Sequence, residues 1–404
     1  MRSLRDDNND RPGENLGGSL PDLPPAHLPV AMTPGDGAWV TDAAGRRYLD
    51  CLAANSAVSF GHSNPVLLAA ARGRLDGIAL SGTAFADEQR DAFVDDLAAL
   101  AGKELVLPLN TAAEAVAEAV AAARAWGHRV KCVALDRANV IVADGGSAGG
   151  GRGGRPGRDV GAGIRSVPYG DAAAVAAATD ENTVAVLVQP IRAVGGIVVP
   201  SADYLPVVRE LTTRSNVLLI ADETQSGLGR TGRTFACELV DVVPDLYLLG
   251  NALGGGIVPV SAVVGDGDVL GALPPGERNS GFSGNPLAAG IGRAVVGLLR
   301  TGELQERAGL LGIRLLAELD RLIGRGVVEV RGVGVWVGVD IDPVLASGAV
   351  VCERLALRGL LTTSVGGSTI LFAPPIVIDP ADVDWAVAQL EAVLEEFAAC
   401  GVVR

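Results

Sequence analysis

Lysine is almost missing from this sequence, since only Lys103 and Lys131 are lysines among its 33 basic residues. A reaction that needs a lysine amine therefore has two candidates. Aromatic residues make up only 4% of the chain, and no apolar run reaches the roughly 18–20 residues that a membrane-spanning helix needs. The net charge of −14 argues against nucleic acid as the main partner, because phosphate backbones are bound by clusters of Lys and Arg.

Cysteine is sparse and unpaired in spacing. The five cysteines show no CxxC motif and are scattered over the chain, at Cys51, Cys132, Cys237, Cys352 and Cys400. This pattern favours buried, reduced thiols over a disulfide framework or a zinc site. The three histidines have no metal-ligand spacing, so we expect no metal. The first residues lack the apolar stretch of a secretory signal, and we expect a cytoplasmic protein that contacts no membrane.

The order of apolar segments predicts the domain organisation. Residues 1–26 are polar and rich in Pro, Gly and Asp, which is typical of a flexible arm. We expect residues 27–65 to begin a small domain, 66–300 to form a large α/β domain, and 301–404 to complete a small α+β domain. Short runs apolar on both faces alternate with helical segments in the large domain, as a parallel sheet covered by helices requires. The runs are at 105–109, 132–135, 184–188, 217–221, 246–249 and 261–264.

The stretch 144–157 is low in complexity and rich in glycine. It lacks the GxxxxGK[ST] pattern of a phosphate-binding loop, so we interpret it as a flexible surface or lid loop.

Polar side chains follow several of the predicted strands at the point where each strand ends. Ligands of open parallel sheets bind beyond the carboxyl ends of the strands, so we predict a pocket for a small molecule at this edge. One pair of residues there also precedes a helix, whose N-terminus can hold an anion. The residues are Asn110 and Thr111, Gln189, Asp222, Glu223, Gln225 and Asn251.

Three segments resemble motifs of class III aminotransferases, which are fold type I enzymes that depend on pyridoxal phosphate (PLP). They are residues 221–232 (ADETQSGLGRTG), 244–256 (PDLYLLGNALGGG) and 283–286 (SGNP). Residues 56–62, 107–114 and 372–378 are similar to the ornithine aminotransferase branch. From about residue 27 onward, the resemblance implies a large domain with a mostly parallel sheet covered by helices, a smaller α+β domain, and a homodimer with sites at its interface.

The resemblance also implies roles for individual residues. Asp222 occupies the position of the carboxylate that keeps the pyridine nitrogen protonated, and Gln225 that of a contact to the ring hydroxyl. Asn251 occupies the position of the lysine that forms a Schiff base with the cofactor. An amide can neither form that bond nor move the proton that follows, and Lys103 and Lys131 lie far from the motif in sequence.

Further departures from the family pattern fall on the same site. The family's ring-covering aromatic residue aligns with Ser147, its phosphate-loop glycine with Ala112, and the neighbouring subunit's phosphate-binding threonine with Gly281. An arginine for the substrate α-carboxylate aligns with Leu371, a substrate-contacting tyrosine with Asn55, and the paired glutamates of the ornithine branch with Gln189 and Val194. Together these changes predict that PLP chemistry is lost while the scaffold is kept.

The function expected from the sequence is therefore a repurposed enzyme that needs no cofactor. It would act on an amino-acid-derived or other small metabolite by cyclisation, dehydration or condensation, with Asp222 as general acid or base. Alternatively, Asp222 only caps a turn or pairs with a donor such as an arginine. Two other hypotheses are a catalytically inactive partner or regulatory pseudoenzyme, and a transferase that binds PLP or its amine form (PMP) noncovalently through Asp222 and Gln225.

Overall fold

The computed structural model describes residues 32–80, 87–143, 163–274 and 281–399. The predicted arm (1–26) and the glycine-rich stretch 144–157 lie outside these ranges. The strands are β1 (Met32–Asp36), β2 (Trp39–Asp42), β3 (Arg47–Asp50), β4 (Leu105–Leu109), β5 (Asn139–Ala143), β6 (Ile164–Val167), β7 (Thr183–Val188), β8 (Leu218–Asp222), β9 (Leu246–Leu249), β10 (Ser261–Gly265), β11 (Val327–Val333), β12 (Trp336–Ile341), β13 (Leu360–Leu361), β14 (Thr363–Val365) and β15 (Thr369–Phe372).

Helices alternate with these strands along the chain. They are α1 (Pro65–Leu75), α2 (Glu88–Ala101), α3 (Ala112–Arg129), α4 (Ala172–Ala178), α5 (Tyr204–Arg214), α6 (Gly267–Leu270), α7 (Pro286–Leu299), α8 (Glu303–Asp320), α9 (Gly348–Leu357) and α10 (Pro380–Ala399). Short 3-10 turns follow at Ala236–Val240 and Asn251–Gly254. None of the helices in the described part of the chain is both long and apolar enough to cross a membrane.

A mixed sheet forms the centre of the large α/β domain. Over the described residues its order is β4-β10-β9-β8-β7-β5-β6. The strands from β9 to β6 run parallel to one another, and β10 runs antiparallel to both β4 and β9. Strands β5, β7, β8, β9 and β10 are buried along their whole length, because α3 covers one face and α2, α5 and α7 the other. This confirms the expected α/β architecture.

A smaller α+β unit packs its own core. Strands β11, β12, β15 and β14 form an antiparallel sheet, and α8, α9 and α10 bury their apolar faces against it. Strand β13 pairs parallel with β3, so the N-terminal strands β1–β3 share a sheet with a C-terminal segment. The predicted domain boundaries at residues 26, 65 and 300 stay predictions.

One local prediction was wrong. The run 132–135 is not a strand: Cys132 adopts a left-handed backbone with φ 58°, and the Val133 N–H bonds the carbonyl of Gly127 to close α3. The strand comes later, at β5. Helix α5 begins at Tyr204, and Asp203 before it makes no side-chain cap bond. Cys51, Cys237 and Cys352 are buried as expected, whereas Cys132 is exposed.

Candidate active site

Asp222 is the last residue of β8 and its side chain is almost completely buried. Its Oδ1 accepts hydrogen bonds from the backbone N–H of Thr224 (3.1 Å) and from the Thr224 hydroxyl (2.6 Å). Its Oδ2 accepts one from Nε2 of Gln189 (3.1 Å). Gln189 follows β7, where Val188 pairs with Ala221 of β8, so the two side chains meet at the edge formed by the carboxyl ends of the strands, the carboxyl edge.

The donors to Asp222 are all neutral. Thr224 gives Asp222 the turn contact that the alternative named, while an arginine is not among the hydrogen-bond partners of Asp222 in the described ranges. Whether Asp222 has only this structural role stays a prediction. A buried carboxylate is costly unless a cation or a full set of hydrogen bonds compensates it. Asp222 is therefore held by three hydrogen bonds but by no cation among the described residues, and a positively charged group beside it would compensate its charge further.

Glu223, the next residue, directs its carboxylate into the following loop. It accepts hydrogen bonds from Ser226 Oγ (2.6 Å) and from the backbone N–H groups of Ala236 (2.9 Å) and Cys237 (2.8 Å). Burial raises the pKa of Glu223. Its contacts fasten the two ends of the 223–237 loop together, and the half-buried Gln225 lies within this loop. Glu223 therefore holds the 223–237 loop, which carries Gln225, in place.

Asn251 follows β9, the strand that pairs with β8 through Leu248 and Asp222. A methyl group built on Gly250 would lie 3.4 Å from Thr224 Cγ2, which places the start of the 251–254 turn against the residue that holds Asp222. Asn251 is half-buried, has a left-handed backbone with φ 45°, and donates from Nδ2 to the carbonyl of Asn55 at 2.9 Å. Asn251 and Asn55 are thus in contact, at the same edge of the sheet as Asp222.

The N-terminus of α3 lies at the carboxyl edge as well. Thr111 caps the helix, and Glu114 accepts from the backbone N–H groups of Asn110 (2.8 Å) and Thr111 (3.0 Å). Ser261 at the start of β10 donates to the Thr111 carbonyl at 2.7 Å, and the Asn110 side chain donates to Ser283 Oγ at 3.2 Å. The first backbone N–H groups of the helix have no partner inside it, which favours an anion there.

Two residues predicted for the phosphate region lie near this helix end. Ala112 is the first residue of α3 and is half-buried. Gly281 is exposed and precedes Ser283, with no atom within 4 Å of a methyl group built on it. Ser147, predicted to face the cofactor ring, lies outside the described residues.

Leu371 belongs to an apolar part of the small domain. It lies on β15 and packs against a cluster that contains Ile191, Ile197 and Trp336. Val194, which lies between Ile191 and Ile197 in the chain, is exposed. Arg331 lies across β12 from Leu371, since both pair with Gly338. Its guanidinium is bound to the Asp340 carboxylate at 2.6 and 3.0 Å. This arginine is therefore already neutralised by a partner within its own sheet.

Both lysines lie at the opposite edge of the central sheet. Lys103 precedes β4 and contacts Asp266 at 2.9 Å. Lys131 donates to the carbonyls of Thr183 (2.8 Å) and Ser215 (3.2 Å), and Thr183 begins β7. Strand β7 has six residues, and a strand of six residues spans about 20 Å. Both amines lie at the amino ends of the strands, whereas Asn251 lies beyond a carboxyl end, so neither amine reaches it. Burial lowers the pKa of Lys131.

The residues 53–56 form a feature that the sequence did not predict. Ala53, Ala54, Asn55 and Ser56 have φ values of 44°, 46°, 55° and 72°, so this segment, the 53–56 turn, is left-handed throughout. Each such non-glycine residue costs about 1–2 kcal/mol, and no glycine marks the turn in the sequence. Thr224 was also missed, although a threonine two residues after a strand-end aspartate is a known way to close a turn.

The fold is that of a fold type I aminotransferase. The model of the family named aminotransferase class-III matches residues 23–151 and 167–394, and the chain belongs to this family. An ornithine aminotransferase of Bacillus subtilis is 40% identical over 380 residues, 91% of this chain and 93% of that protein. One of Halalkalibacterium halodurans is 40% identical over 386 residues, 91% of this chain and 94% of its own.

Solved structures agree with this family. The ornithine aminotransferase of Toxoplasma gondii superposes with a TM-score of 0.88 at 32% identity, with 94% of each chain covered. An acetylornithine aminotransferase from Elizabethkingia anophelis gives a TM-score of 0.86 at 35% identity, covering 94% of this chain and 96% of that one.

These matches overturn two expectations from the sequence. The interpretation of the chain as a repurposed PLP-independent enzyme, or as an inactive pseudoenzyme, is wrong, because relatives 40% identical over 91% of the chain are named ornithine aminotransferase. The expectation of no cofactor is wrong as well, because class III aminotransferases use PLP. The error came from giving single substitutions more weight than similarity along the whole chain.

Proposed function

We propose that this protein is a PLP-dependent aminotransferase that moves an amino group between an ornithine-like amino acid and a 2-oxo acid. Family membership and the names of the relatives support the reaction class and the type of donor. The observation that carries the proposal is Asp222, a buried carboxylate at the carboxyl edge whose hydrogen-bond donors among the described residues are neutral.

The donor set of the site fits PLP. A protonated pyridine nitrogen would supply the positive charge that Asp222 lacks, and the carboxylate in turn would keep that proton in place. Gln225 would contact the ring hydroxyl, and the N-terminus of α3 at Ala112 would hold the phosphate. When bound, PLP supplies an electron sink for the carbanion of the amino-acid substrate.

The protein's own residues orient that cofactor. Thr224 and Gln189 fix the two oxygens of Asp222 from opposite sides, so the carboxylate cannot rotate freely. Glu223 fastens the loop that carries Gln225. Asp222 and Glu223 are both buried, and Asp222, fixed in this way, would hold the proton of the pyridine nitrogen.

We also propose that Asn251 stands at the position of the family's cofactor lysine. Residues 244–256 support this placement by their resemblance to the family motif, and the positions of Lys103 and Lys131 support it by distance. The cofactor would then be held by noncovalent contacts alone, and the proton transfer that the lysine performs in the family would fall to a group other than residue 251. We therefore expect PLP to exchange freely with solution, and borohydride treatment to leave no PLP attached to the chain.

A second copy of the chain is proposed as a partner. An apolar surface of Leu75, Ile78, Leu80 and Phe282 is between 47% and 70% exposed. It adjoins Ser283, and the Leu287 N–H at the start of α7 bonds the carbonyl of Ala79 within it. Exposed apolar surface of this kind is typical of a protein interface. Light scattering on the full chain tests for a homodimer.

We also propose a cytoplasmic location, which the buried free thiols support.

The test combines binding and turnover. The full chain is titrated with PLP while its absorbance and visible circular dichroism are recorded, and the new amino acid formed from ornithine and a 2-oxo acid is quantified by chromatography. We expect saturable binding and product that depends on added PLP. A folded protein that neither binds PLP nor forms product with any of a panel of ornithine-like donors would overturn the proposal.

A further inference from the structure

The 53–56 turn is held at both ends by side chains. On its N-terminal side, Asp50 Oδ1 accepts from the backbone N–H groups of Leu52 (2.8 Å) and Ala53 (3.1 Å), while Asp50 Oδ2 bonds His62 Nε2 at 2.7 Å. On its C-terminal side, Ser59 Oγ accepts from Arg230 at 2.7 Å. Left-handed non-glycine residues persist only where their surroundings determine them, and they concentrate at functional sites.

The middle of the turn is contacted from another part of the chain by Asn251. Its Nδ2 donates to the carbonyl of Asn55 at 2.9 Å. Val58, just after the turn, lies close enough to Gly256 that a methyl group there would approach its Cγ2 to 3.0 Å. The segment 251–256 therefore runs along the turn. Gly250, just before this segment, lies next to Thr224, which holds Asp222: a methyl group built on Gly250 would be 3.4 Å from Thr224 Cγ2.

Asparagine suits position 251 for two reasons at once. The residue has φ 45°, and asparagine tolerates the left-handed region better than most residues with a side chain. Its short amide also presents a donor at the distance that the Asn55 carbonyl requires. A lysine would have to adopt the same backbone conformation and would carry its donor several bonds further away.

We propose that Asn251 is a positioning residue that locks the 53–56 turn in place as one wall of the site, and that it thereby sets how the cofactor and donor lie against Asp222. This lock, the hydrogen bond from Asn251 to the turn, is formed without any cofactor. Its effect on the cofactor rests on the proposed function.

The test uses Asn251→Gly, which keeps the left-handed backbone and removes the donor. Asn216→Gly is the matched control, because Asn216 also has a left-handed backbone (φ 48°) and is exposed after α5. Hydrogen exchange of the cofactor-free protein is measured for peptides that cover residues 52–60. We expect about three- to tenfold faster exchange in Asn251→Gly, which is the loss of one ordinary hydrogen bond, and no change in Asn216→Gly.

The second readout is the visible circular dichroism of bound PLP, which reports how asymmetrically the cofactor is held. We expect Asn251→Gly to change this signal and Asn216→Gly to leave it unchanged. Unchanged exchange in the turn overturns the lock. Faster exchange with an unchanged cofactor signal reduces Asn251 to a structural residue and overturns the positioning role.

Two further results separate failure of the proposed function from failure of the contact between Asn251 and the 53–56 turn. If the unsubstituted protein does not bind PLP, the proposed function fails, while the exchange measurement still decides whether Asn251 holds the turn. If Asn251→Gly does not fold, Asn251→Asp replaces it, because aspartate keeps the shape of the side chain but presents an oxygen to the Asn55 carbonyl. It must then show the same faster exchange, or the lock is refuted.

Discussion

Replacing Asp222 by asparagine should separate cofactor binding from stability. In the cofactor-free protein, asparagine Oδ1 can keep both bonds from Thr224 (3.1 and 2.6 Å), and only the bond from Gln189 is put at risk. One ordinary hydrogen bond contributes about 0.5–1.5 kcal/mol, and this loss is offset because the buried charge is removed as well. We therefore expect the free energy of unfolding to change by less than about 1 kcal/mol.

The effect on PLP should be far larger. A hydrogen bond to a charged group contributes about 1.5–3 kcal/mol, so Asp222→Asn should weaken PLP binding by about 10- to 150-fold, at about 1.4 kcal/mol for each factor of ten. Urea unfolding of the cofactor-free protein and spectroscopic PLP titration measure the two quantities. Asp203→Asn is the control, since this exposed aspartate before α5 makes no side-chain cap bond. Unchanged PLP affinity in Asp222→Asn would refute the role of the carboxylate.

Three other substitutions probe the surroundings of the site. Thr224→Val removes the hydroxyl bond to Asp222 and should weaken PLP binding about fivefold in the same titration; equal affinity would contradict its orienting role. Because burial raises the pKa of Glu223, its contribution to stability is fully present below the ordinary glutamate pKa and is lost as pH rises through the raised value. Urea unfolding across pH should therefore show Glu223→Gln gaining stability relative to the unsubstituted chain as pH rises, and a constant difference would refute this. Lys131→Met should lower the free energy of unfolding by about 1–3 kcal/mol, since two carbonyls lose their donor, with PLP affinity unchanged; weaker binding would contradict its placement at the opposite edge.

The placement of Gln189, Asp222 and Asn251 at one edge of the sheet could be predicted, because it follows from topology alone. Each comes within two residues of the end of a buried apolar run, and parallel strands bring such positions to one edge. The contacts of the Glu223 carboxylate could not be predicted, because its partners Ala236 and Cys237 approach it only after the loop has folded back.

The left-handed 53–56 turn has no local signature either. Its residues Ala-Ala-Asn-Ser do not include the glycine that usually marks positive φ. Asp50 holds the turn from nearby in the chain, but the other contacts come from Arg230 and Asn251, which are distant in sequence. The strand predicted at 132–135 was wrong for a similar reason. The sequence shows an apolar run there, but it does not show the hydrogen bond from Val133 to Gly127 that closes α3.

Titration of the purified full chain with PLP, followed by addition of ornithine and a 2-oxo acid, decides whether the site works as a PLP aminotransferase. We predict saturable binding of one PLP per chain, weakened in Asp222→Asn, and formation of the new amino acid only when PLP is present. Folded protein that shows no saturable PLP signal, or whose product formation is the same without PLP, would contradict this assignment.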